Sequence, residues 1–100
     1  MVKHVIIWNF KEELTADERK VAAAKIKEGI EGLLGKIDGL TEIKVYTNGL
    51  ETSNADLMLD STFESFEALK AYAIHPDHVY AADTFVRPFT ASRSCLDFEI

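Results

Sequence analysis

Six side chains of this sequence stand out as candidates to move a proton or hold a ligand: His4, Tyr72, His75, His78, Cys95 and Asp97. Three of them fall in one short run, Tyr72-Ala-Ile-His-Pro-Asp-His78. A neutral imidazole with a pKa near 6.5 can remove an acidic proton between two carbonyls, and a phenol can donate a hydrogen bond to the enolate that forms. His78 is available for the first role and Tyr72 for the second, with Asp97 available to orient the imidazole and His4 on the first strand. Each of these residues also has a purely structural role open to it. Tyr72 shares an apolar helical stripe with Phe66 and Leu69, His78 can cap a helix or sit in a core, and His4 can be a buried, hydrogen-bonded strand residue. An acid such as Asp97 on a small sheet is either exposed at an edge or paired. His75 precedes a proline, which holds it extended, so it is expected to cap the next helix. Cys95 has no base near it in sequence and is expected to be a buried strand residue. A metal held by His75 and His78 with His4 or Asp97 is disfavoured, because Pro76 constrains the pair and no ligand pair sits cleanly on one helical face.

These residues need elements to place them. Val2 to Phe10 is β-branched and aromatic, and alternation sets His4, Ile6, Trp8 and Phe10 on one face and Val5 and Ile7 on the other. Thr15 followed by Glu18 is a capping box, which predicts a helix from there to about Leu34 with Ala22, Ile26, Ile30, Leu33 and Ile37 on its buried stripe. Gly29 and Gly32 inside it imply close packing or fraying. Strands are expected over about Leu40 to Thr47 and Asp56 to Phe63, then a helix from Ser65 to about Ile74. Pro76 suits the first turn of another helix reaching about Phe85, and a closing strand is expected over Ser94 to Ile100. The order is β-α-β-β-α-(α)-β, an α+β fold of ferredoxin-like type with a four-stranded antiparallel sheet. Helices in this order cover one face, so Ile6, Trp8, Leu57 and Leu59 are expected to line any pocket between sheet and helices. Val5 and Ile7 demand cover on the other face. The simplest cover is the same face of a second copy, giving a homodimer through the sheet.

Bulk properties narrow the functions further. The chain has 100 residues, one domain's worth, expected to be a single domain over 1–100. Its formal charge of −6 argues against nucleic acid and anionic membranes as partners. One cysteine allows no internal disulfide and points to a reducing, cytoplasmic setting. The apolar stretch Val5 to Trp8 is too short for a signal-peptide core or a membrane span.

Val2-Lys-His-Val-Ile-Ile-Trp8, Ser61-Thr-Phe-Glu-Ser65, Ala71 to His78 and Asp97-Phe98 together resemble the stress-responsive A/B barrel (Dabb) family over essentially the whole chain. The His-Pro-x-His run is the most specific part. The resemblance implies a dimeric α+β barrel but no single function, since fold and activity are separable. One similar branch comprises plant polyketide cyclases, which close a poly-β-keto chain by aldol-type condensation without a cofactor. The motif match puts their catalytic Tyr and His on Tyr72 and His78, and their pocket His and Asp on His4 and Asp97. The first helix departs from that branch, because Val21-Ala-Ala-Ala-Lys-Ile26 lacks its pocket aromatics. No axial-ligand motif speaks for haem, and no cofactor is implied. Three functions follow: a dimer binding a small apolar metabolite, a cofactor-independent cyclase, isomerase or decarboxylase, or a purely structural dimer.

Overall fold

A computed structural model describes residues 1–100. Strand β1 (Val2–Phe10) leads through helix α1 (Ala16–Glu31) to β2 (Leu40–Tyr46) and β3 (Leu57–Phe63); α2 (Phe66–Ile74), α3 (Pro76–Ala81) and a π-helical turn (Ala82–Val86) then precede β4 (Thr90–Glu99). The sheet is antiparallel throughout and ordered β2-β3-β1-β4. This is the ferredoxin-like order.

Local chemistry accounts for the element ends. The Thr15 hydroxyl accepts from the Glu18 amide at 3.1 Å while the Glu18 carboxylate accepts from the Thr15 amide at 2.8 Å, so the capping box forms as written in the sequence. Ser65 caps α2 by accepting from the Ala68 amide. His75 caps α3 through Nδ1, which accepts from the Asp77 amide at 3.1 Å, and Pro76 fills the first helical position, where no amide is missed. At its other end α1 is tied to the sheet. The Glu31 carboxylate accepts from both Lys27 Nζ and the Val45 amide, and these bonds hold its pKa below the usual carboxylate range despite partial burial.

A cluster of 19 buried residues fills the space between the helices and one sheet face. His4, Ile6, Trp8 and Phe10 all face it, as do Ala22, Ile26 and Ile30 from α1 and Leu57 and Leu59 from β3. Gly29 lets α1 approach the π-helical turn, since a Cβ there would fall on the Phe85 ring.

Three boundaries differ from the sequence expectation. Helix α1 stops at Glu31 rather than Leu34, because Gly32 caps it and Gly35 turns the chain at φ +86°. The third helix is not continuous to Phe85: it passes at Ala82 into a π-helical turn closed by Arg87 N–H donating to the Ala82 carbonyl. Strand β4 begins at Thr90, four residues before the expected Ser94, since β1 offers it a ladder as far as Phe10 through a register shift at Asn9. Cys95 is not buried, either. It lies on β4, an edge strand that the helices do not cover, and is exposed.

Candidate functional site

The ladders decide which side chains meet. On β1, His4, Ile6 and Trp8 stand opposite Asp97, Cys95 and Arg93 of β4, and opposite Ser61, Leu59 and Leu57 of β3. Alternation therefore puts Arg93, Cys95 and Asp97 on the same face as His4, toward the helices. Above that face α2 supplies Tyr72 and the first turn of α3 supplies His78. The Tyr72 and His78 rings are 4.2 Å apart between centroids, and Tyr72 lies 6.0 Å from His4 and 4.9 Å from Phe63.

The expected residues form two subsets. His4 Nδ1 and Asp97 Oδ1 are 2.5 Å apart, so the carboxylate accepts from Nδ1–H. Asp97 thus orients His4 and not His78, whose Nδ1 is 3.2 Å from the Ala73 carbonyl. A carbonyl only accepts, so His78 Nδ1 carries the hydrogen and the neutral ring keeps its lone pair at Nε2. Tyr72 is 1% exposed, and its hydroxyl has no hydrogen-bond partner within the protein. Burial without a partner is the exception for such groups.

Beside these two rings lies a cavity of about 130 Å³. Ile6, Trp8 and Leu59 line it together with Tyr72 and His78, as expected; Leu57 does not, being packed in the core. His4 and Asp97 stand outside it. Among the cavity residues not anticipated, two are charged: Arg87 after the π-helical turn and Arg93 on β4. Arg93 alternates with Cys95 and Asp97, so a strand read back to Thr90 would have brought it in. A larger groove of about 470 Å³ between α1 and α3 contains neither Tyr72 nor any histidine.

Burial pushes the His78 pKa below its ordinary 6.5; the Ala73 carbonyl pulls the other way, and His4, Arg87 and Arg93 add to the depression. His78 is therefore a neutral imidazole at pH 7. Burial also drives the Tyr72 phenol well above its ordinary range, against a smaller opposing effect of Arg93, so it stays a donor. Although exposed, the Cys95 thiol is raised by the partial desolvation its neighbours impose and then by Asp97, with Arg93 opposing, which makes it a poor nucleophile. His4, Cys95 and Asp97 are the residues with ligand atoms close enough to share a metal, all within 4.8 Å. Tetrahedral zinc would space such atoms about 3.4–3.6 Å apart. The thiol sulfur is at that spacing from Asp97, 3.5 Å, but beyond it from His4, 3.8 Å, and the His4–Asp97 pair is closed by a hydrogen bond. His75 and His78 do not form a pair, because each Nδ1 is engaged by a different backbone group.

The fold recurs in other proteins. The chain is 32% identical over 91 residues to the stress-response A/B barrel domain-containing protein HS1 of Arabidopsis thaliana, covering 85% of this chain and 77% of that one. A dimeric protein of unknown function and ferredoxin-like fold from Bacteroides fragilis superposes with a TM-score of 0.92 at 31% identity, covering 99% of this chain and 95% of that one. The hydroxynitrile lyase of Passiflora edulis shares the fold at a TM-score of 0.73 and 18% identity, over 99% and 92% of the two chains. The family description Stress responsive A/B Barrel Domain matches residues 2–100, and the chain belongs to that family.

Proposed function

We propose that this protein is a homodimer in which each copy binds a small, largely apolar carbonyl compound between sheet and helices. The observation that carries the reading is the Tyr72 hydroxyl, buried without a partner in a residue that lines the same cavity as His78. A carbonyl oxygen would give Tyr72 the acceptor it lacks, and apolar walls of Ile6, Trp8 and Leu59 would take the rest of the molecule. At about 130 Å³ the cavity is below the roughly 300 Å³ at which pockets for drug-sized ligands begin, so the ligand is a small metabolite and not an extended poly-β-keto chain.

A second reading, enolisation of the bound carbonyl, is favoured by the state of His78. Its hydrogen is committed to the Ala73 carbonyl, its Nε2 lone pair is free, and its depressed pKa keeps it neutral. It would act as base while Tyr72 donates to the enolate oxygen. His4 and Asp97 would serve as a supporting pair that fixes the sheet side of the site.

Dimerisation is supported by the outer sheet face. Ile7, Tyr46, Leu96 and Phe98 are exposed there, with Leu96 at 64% and Ile7 at 39%. An apolar band of that kind marks an interface, and the Bacteroides fragilis relative at 31% identity is dimeric.

Trp8 is the chain's only tryptophan and lines the cavity, so its fluorescence reports occupancy. Titration with the methyl ester of 4-oxopentanoic acid, a small neutral ketone, should change that fluorescence saturably. In deuterium oxide the bound ketone should exchange its α-hydrogens faster with wild type than with His78→Ala. No saturable change would remove the binding reading, and equal exchange by both proteins would remove His78 as base.

A further inference from the structure

We infer that the ligand is an acid, a small keto acid whose carboxylate is held by Arg87 and Arg93 while its ketone oxygen meets Tyr72 and His78. This rests on the carbonyl-binding reading above and names the substrate class of the same cavity.

The protein has 17 acidic residues against 11 Lys and Arg, and its arginines number three: Arg19, Arg87 and Arg93. Two of the three line one cavity of about 130 Å³, and no acidic residue lines it. In a chain this acidic, the local balance is reversed at this cavity. A planar guanidinium presents paired N–H donors matched to a carboxylate, and two of them flanking one opening can clamp it.

Neither arginine is fully engaged elsewhere. Arg93 takes part in none of the ion pairs of the structure. Arg87 pairs with Asp83 one turn back, but both side chains are more than half exposed, and exposed pairs of this spacing are weakly held. The π-helical turn matters for its aim. With one extra residue in the turn, Ala82, Val86 and Arg87 all reach the cavity beside His78. Ile6, Trp8 and Leu59 line the same cavity, apolar surface suited to the short carbon chain that joins carboxylate to ketone.

The same positive field bears on the chemistry. Arg87 and Arg93 both favour neutral His78. A bound carboxylate would offset that field, so binding of an acid should raise the His78 pKa and binding of a neutral analogue should not.

The test compares 4-oxopentanoate with its methyl ester on the full-length protein, using Trp8 fluorescence for affinity and histidine NMR titration for His78. The acid should bind about tenfold or more tightly than the ester at low ionic strength. Arg87→Gln and Arg93→Gln should each cut the acid-to-ester affinity ratio by about five- to tenfold, with far-UV circular dichroism unchanged. The acid alone should shift the His78 titration upward. Equal affinity for acid and ester, or a ratio unchanged in both variants, would overturn the inference while leaving the carbonyl-binding reading standing. Acetate binding as tightly as the keto acid would overturn it also, reducing the arginines to a general anion patch. Failure of both acid and ester to bind would sink both.

Discussion

Replacing Tyr72 by Phe should make the protein more stable and less able to bind, and the two effects come from one atom. The hydroxyl is buried and has no partner within the protein. Burying a hydroxyl unpaired costs about 1–3 kcal/mol in protein mutational series. Phe keeps the ring and hence the edge contact with Phe63 at 4.9 Å and the tilted stack on His78 at 4.2 Å, so no cavity term opposes the gain. A net stabilisation of about 1 kcal/mol corresponds to about 4–8 °C in melting temperature for a domain of this size. Calorimetry at one fixed protein concentration measures it, because the melting point of a dimer depends on concentration. Affinity for methyl 4-oxopentanoate, followed through Trp8, should fall about tenfold, the worth of one hydrogen bond to a buried acceptor. A Tyr72→Phe protein that melts below wild type would show that the hydroxyl already has a stabilising partner. Unchanged ester affinity would show that it does not meet the ligand.

Other outcomes follow from the same structure. Because burial depresses the His78 pKa, below pH 6.5 the unfolded chain takes up a proton the folded chain refuses. Stability should therefore be full above about pH 6.5 and fall as pH drops through the folded value, with the enolisation rate declining over an acid limb in the same window; calorimetry against pH should find that loss reduced in His78→Gln. Tyr72 has the opposite sign, its pKa being raised, so its contribution is lost as pH rises past 10; Tyr72→Phe should weaken the alkaline fall in melting temperature. Gly29→Ala should destabilise by about 1–3 kcal/mol in urea titration, although the same change in an open helix gains about 1 kcal/mol, because the new Cβ falls on Phe85. Leu96→Asp should give a monomer in sedimentation and should also weaken keto-acid binding, although Leu96 does not line the cavity.

The inner half of the site was legible in the sequence because it follows local rules. Alternation along β1 put His4, Ile6 and Trp8 on one face, and all three are buried there. A Ser, Thr or pre-proline His ahead of a helical run announces a cap, and Thr15, Ser65 and His75 each act as one. What escaped was non-local or lacked a sequence signature. The partner of Asp97 is 93 residues away, chosen by the register of a ladder and not by any neighbour in the chain. The start of β4 at Thr-Ala-Ser has no apolar alternation, because an edge strand that no helix covers has no buried side to encode. The π-helical turn adds one residue to a helix without a marker, and with it goes the direction of Arg87. Cys95 was expected to be buried because strand residues of its kind usually are. The edge position decides otherwise.

β4 also explains why assembly and site belong together. On one face it carries Arg93, Cys95 and Asp97 toward the helices, and on the other Leu96 and Phe98 toward the outer sheet face. In a single copy the strand has β1 as its one strand neighbour, and nearly every one of its residues is exposed. Strands so placed sit at the low end of local stability and open before the core does. Packing a second sheet against Leu96 and Phe98 would bury that side and hold the strand, and with it Arg93, against β1. Ordering an arginine before the ligand arrives lowers the entropy that binding must overcome. The sheet–sheet contact would therefore tune affinity from the far side of the strand, which is why the loss of keto-acid binding in Leu96→Asp should accompany dissociation although the substituted side chain never meets the ligand.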